Sequence, residues 1–78
     1  MTREEQKNIF DKAWKNHRIS VDIKPFPSYR DENGYYTYIH YRKPNDVNLS
    51  LWTRESSTID EAYEKGVESV QFIINNKM

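Results

Sequence analysis

The 78 residues contain no cysteine. No disulfide can staple the fold, and a zinc site would have to do without thiolates. The lack of cysteine also fits a cytoplasmic chain. Histidine is almost as scarce: His17 and His40 fall on different expected elements, without a ligand spacing such as H-E-x-x-H. Glycine occurs only at Gly34 and Gly66, so there is no glycine-rich loop to cradle a phosphate. None of the serines at 20, 28, 50, 56, 57 and 69 stands in a G-x-S-x-G setting. Charge of one sign is absent too. Twelve basic residues balance twelve acidic ones, which gives no general electrostatic grip on nucleic acid or an anionic membrane. No apolar run approaches the roughly 20 residues that span a bilayer. Met1 to Gln6 has no apolar core, so no signal peptide is expected. No repeat or low-complexity tract is present. These absences argue against an enzyme, and no cofactor or metal is expected.

What remains reads as one small domain, residues 1–78. Only 36% of residues are hydrophobic and 31% are charged. A chain of this size buries about 60% of its unfolded surface. Without staples, a stability of roughly 3–5 kcal/mol is expected.

The plainest element is the stretch from Ser57 to Asn76. Thr58-Ile59-Asp60-Glu61 fits a capping box, in which the Thr58 hydroxyl accepts from the Glu61 N–H and the Glu61 carboxylate reaches back to the Thr58 N–H. Asp60, Glu61 and Glu64 complement the helix dipole. Apolar residues then recur at Ile59, Ala62, Tyr63, Val67, Val70, Ile73 and Ile74, one stripe of a 3.6-residue helix. Gly66 lies on that stripe and marks either a close backbone approach or a tolerated weak spot. Thr2-Arg3-Glu4-Glu5 is a second capping box. It predicts a helix from about Arg3, carrying Ile9, Phe10, Ala13 and Trp14 and ending between Asn16 and Arg18.

Ile19 to Lys24 alternates as a half-buried strand does, and Pro25 and Pro27 place that strand at an edge. Asp31-Glu32-Asn33-Gly34 is a turn signal. Tyr35 to Arg42 is dense in aromatic and β-branched residues and predicts a second strand. Lys43-Pro44-Asn45-Asp46 predicts a turn. Val47 to Arg54 predicts a third strand, with Val47, Leu49 and Leu51 inward. The fold class is therefore α+β: a three-stranded antiparallel meander with the two helices packed on one face, in the order α-β-β-β-α. Its expected core is Ile9, Phe10, Ala13, Trp14, Val21, Ile23, Ile39, Leu49, Leu51, Ala62, Val67, Val70 and Ile74.

This order resembles that of the double-stranded-RNA-binding domain. That family opens its second helix with a basic Lys-Lys-x-x-Lys-type cluster that meets phosphates. Thr58-Ile59-Asp60-Glu61-Ala62-Tyr63-Glu64 puts carboxylates there instead, which repel RNA, so double-stranded RNA is not an expected partner. Ile9-Phe10-Asp11-Lys12-Ala13-Trp14 and Thr58 to Lys65 resemble the two helices of small uncharacterised proteins carried by phages, prophages and related mobile elements of bacteria. That resemblance implies no activity and no functional residue.

One surface invites function. With Ile39 inward, Tyr36, Tyr38, His40 and Arg42 point outward. With Leu49 and Leu51 inward, Trp52 and Arg54 point outward as well. Cross-strand pairing would set Trp52 beside Tyr36 or Tyr38. This surface suits a protein partner or self-association, since Tyr, Trp and Arg dominate binding hot spots. It can also stack single-stranded nucleic acid, but the net charge of zero favours the protein partner. The structural alternative is that these aromatic pairs only stabilise the sheet, each by under about 1 kcal/mol. The pair Asp60/Glu61 resembles an acid–base couple, but capping accounts for it.

Overall fold

The computed structural model describes residues 1–27, 33–42 and 47–76. Of the expected turn Asp31-Glu32-Asn33-Gly34 the first two residues lie outside them, as does all of Lys43-Pro44-Asn45-Asp46; Asn33 and Gly34 begin a strand. Five elements follow in order: α1 (Arg3–His17), β1 (Ser20–Pro27), β2 (Asn33–Tyr41), β3 (Ser50–Ser56) and α2 (Ile59–Asn76). The strands form one antiparallel sheet ordered β1-β2-β3, with both helices against one face. This is the α-β-β-β-α fold that the sequence predicts.

The opening helix starts where its capping box is written. Glu5 N–H donates to Thr2 Oγ1 at 3.2 Å, and Thr2 N–H donates to the Glu5 carboxylate at 3.1 Å. It stops at Arg18, which adopts the left-handed conformation at φ 56. There Arg18 N–H reaches the Trp14 carbonyl and Ile19 N–H the Ala13 carbonyl. A left-handed residue closes a helix this way, although glycine is the usual occupant. Trp14 was expected in the core but is 50% exposed. The helix is rolled so that Gln6 and Ala13, seven residues apart, face inward. Trp14 then lies about 100° further round, with the Arg18 guanidinium 5.1 Å from its ring centroid.

The closing helix keeps half of its predicted cap. Glu61 N–H donates to Thr58 Oγ1 at 3.1 Å. The Glu61 carboxylate does not reach back to Thr58; it accepts from the Ser57 hydroxyl and pairs with Lys65, each at 3.1 Å. The bond from Lys65, then that from Ser57, holds the Glu61 carboxyl below the ordinary carboxylate value. Thr58→Ala should therefore cost about 1 kcal/mol. In a domain of this size that lowers the melting temperature by about 4–8 °C. A circular-dichroism melt unchanged within a degree would place the cap elsewhere.

Register sets the two faces of the sheet. Val21, Ile39 and Trp52 form one inward row, and Ile23, Thr37 and Arg54 the next. The core gathers Ala13, Ile19, Ile39, Tyr41, Val70 and Ile73, with Ile9, Phe10, Val21, Trp52 and Ile74 packed against it. Polar ties fix α2 over this face. The buried Thr37 hydroxyl donates to the Ala62 carbonyl at 3.1 Å. Arg54 donates to Ser69 Oγ at 3.2 Å and to the Lys65 carbonyl at 3.4 Å. Gly66 proves to be a close approach. A Cβ there would lie 2.9 Å from Phe10 Cζ and 3.4 Å from Val21 Cγ1.

The third strand departs from expectation. It begins at Ser50, and its inward residues are Ser50, Trp52, Arg54 and Ser56. Leu49 and Leu51, expected in the core, are 59% and 57% exposed, and Val47 is exposed as well. Both phases of this strand carry apolar residues, so alternation alone does not decide between them, and a one-residue shift exchanges the faces. The phase adopted buries the larger Trp52 side chain. It also gives the Arg54 guanidinium acceptors on α2.

Candidate functional site

The face of the sheet turned away from the helices is built from three rows. Lys24, Tyr36 and Glu55 lie side by side; Asp22, Tyr38 and Thr53 form the next row, and Ser20, His40 and Leu51 the third. Beyond the first row Phe26 pairs with Gly34. A Cβ at Gly34 would stand 2.5 Å from Phe26 Cζ, so only glycine lets that ring lie against the backbone. Phe26 thereby stacks on Tyr36, with centroids 4.0 Å apart and planes 24° apart, and Tyr36 meets Tyr38 at 5.7 Å. Alternation of the strand brings these rings to one face; the missing side chain of Gly34 brings the third ring into line.

The rings are framed by charge of both signs. Lys24 is on the β1 side, Asp22 beside it, and Glu55 on the β3 side. None of the three forms a salt bridge with another described residue. Desolvation among its neighbours, then the Glu55 charge, raises the Tyr36 phenol above its ordinary value. A neutral phenol between a cation and an anion is suited to contact, not to proton transfer at neutral pH.

Three of the six sequence-derived candidates face as expected: Tyr36, Tyr38 and His40 lie on the outward rows. Arg42 is exposed just past the end of β2, outside the paired rows. Trp52 and Arg54 do not. Both point to the helix side, where Trp52 meets Phe72 edge-on at 5.8 Å and Arg54 binds α2. Their places are taken by one residue expected inward and by another that the sequence does not single out. Leu51 replaces Trp52, and Phe26 joins from β1. No local signal marks Leu51 as outward, because the alternation of Val47-Asn48-Leu49-Ser50-Leu51 reads as an inward phase. The signal for Phe26 was Gly34, but it is legible only once the register is known.

Elsewhere the surface offers less chemistry. An open cleft of about 320 Å³ lies between α1, β1 and α2, lined by Lys7, Phe10, Asp11, Val21, Ile23 and Tyr63. It is open and at the small end for ligand sites. Asp60 pairs with Arg3, whose guanidinium lies 3.7 Å from the Tyr63 ring centroid, and this contact joins the starts of the two helices. Among the described residues no group of three or more His, Asp or Glu is placed to hold a metal ion. Nor is any helix there long and apolar enough to cross a membrane. Comparison of the chain with protein-family models, with curated proteins and with solved structures finds no match in any of the three.

Proposed function

We propose that this protein is a small, non-enzymatic interaction module of the cytoplasm that meets a protein partner through the outward face of its sheet. The resemblance of its two helices to proteins of phages and mobile elements suggests that origin. The observation that carries the reading is Leu51. A leucine 57% exposed sits in a sheet row beside His40 and adjoins the Phe26–Tyr36–Tyr38 stack. Exposed leucines are common singly; one in the row next to Tyr38 of an aromatic stack supports reading this face as an interface. Aromatic residues are also those that carry most binding energy at interfaces.

Single-stranded nucleic acid has less support. That reading needs cations beside the rings to meet phosphates. Arg54 is committed to α2, and Lys24 shares the face with Asp22 and Glu55.

A photoreactive benzoylphenylalanine in place of Leu51, compared with the same group in place of the exposed α1 residue Lys12, tests the proposal. Irradiation in cells should give one discrete protein adduct from position 51 and none from position 12. Equal labelling at both positions, or a nucleic-acid adduct at 51, defeats it.

A further inference from the structure

Building on the reading of this face as an interface, we infer that its occupant is a second copy of the same chain, docked sheet against sheet about a two-fold axis. The argument is charge. A face that takes a strongly acidic or strongly basic partner is charged with the opposite sign. Within its three rows this one carries the cation Lys24 beside the anions Asp22 and Glu55, with Arg42 exposed past the end of β2. Such a face complements itself.

The geometry can be followed through. Packed sheets lie about 10 Å apart with their strands within about 30°. A two-fold contact presents the same patch from both sides. If the axis runs along β2, each β1 crosses over the other copy's β3, since the two flank β2 symmetrically. Lys24 then lies over Glu55 of the second copy, and Asp22 over its Thr53, whose hydroxyl donates to a carboxylate. If the axis runs across the strands between the Tyr36 and Tyr38 rows, Lys24 lies over Asp22 of the second copy. In both cases the ammonium–carboxylate pair occurs twice, once from each copy, and the tyrosines meet at the centre. Three strands about 4.8 Å apart and some six residues long cover about 300 Å² of sheet on each copy, about 600 Å² in total. That is below the size of a standard specific interface, so the dimer should be a weak one that dilution separates.

The test is sedimentation equilibrium of the whole chain over a concentration series, with thermal melts as folding controls. The native protein should pass from monomer to dimer as concentration rises. Lys24→Glu should weaken the dimer at least tenfold, because it sets carboxylates against carboxylates. Combining it with Glu55→Lys should restore association if the axis follows β2, and combining it with Asp22→Lys should do so if the axis crosses the strands. Lys24→Gln serves as a milder probe and should weaken the dimer less than Lys24→Glu. Restoration by neither double variant overturns the inference. So does a native protein that stays monomeric at every concentration, or a dimer indifferent to Lys24→Glu. The wider reading fails separately: a monomer whose position-51 adduct is a different protein keeps the interaction face and loses only the second copy, whereas no adduct removes both.

Discussion

Ile39→Ala is expected to leave much of the protein unfolded at 25 °C. Ile39 is fully buried in the central strand, between Val21 and Trp52, under α2. Truncating a buried isoleucine removes its transfer free energy and leaves a cavity, costing about 2–5 kcal/mol. The whole domain is expected to hold roughly 3–5 kcal/mol, so the loss is of the same size as the stability itself. Relaxation around the site is restricted because the neighbours on both sides are held by the sheet register. Urea denaturation followed by circular dichroism checks this. A variant that keeps a cooperative transition within about 1 kcal/mol of the native protein would show that the core is centred elsewhere.

Trp52→Ala and Leu51→Ala, adjacent in the chain, should differ widely. Trp52 is half-buried, packs against the core, and contacts Phe72 and the Arg54 guanidinium, whose centre lies 5.5 Å from the ring centroid. Removing a tryptophan from a core costs about 3–5 kcal/mol, and partial exposure brings the expectation to roughly 2–3 kcal/mol. Leu51 is more than half exposed and faces away from the helices. Its truncation should change the stability of the monomer by under about 0.5 kcal/mol while weakening association. Paired thermal melts at low concentration, with the association state measured alongside, separate the two effects. If Leu51→Ala proved the costlier for folding, β3 would face the other way and the described surface would be wrong.

That reversal also marks how far the sequence is informative. Both helix starts were legible because Thr2 and Thr58 are followed at the third position by glutamates, a pattern with a single local use. The edge position of β1 was legible from Pro25 and Pro27, which cannot donate to a ladder. The facing of β2 was legible because only one of its phases contains Ile39. The facing of β3 was not. Leu49 and Leu51 on one phase compete with Trp52 and the long stem of Arg54 on the other, and the contest is settled by acceptors on α2, more than ten residues away. Trp14 was misjudged for a related reason. Its hydrophobicity suggested the core, whereas the approach of α1 to its neighbours favours the small Ala13. The outward surface was therefore legible where it depended on β2, at Tyr36, Tyr38 and His40. It was illegible where it depended on pairing across the sheet, at Phe26 and Leu51.

The claim that the open face of the sheet receives a second copy is tested most directly by a dilution series of ¹⁵N-correlation spectra of the unaltered protein. Amide shifts that move with concentration should map to Lys24, Phe26, Tyr36, Tyr38, His40, Leu51 and Glu55, and leave the exposed side of α1 around Lys12 unmoved. Shifts that map instead to the Phe10–Tyr63 cleft, or spectra identical at every concentration, would contradict it.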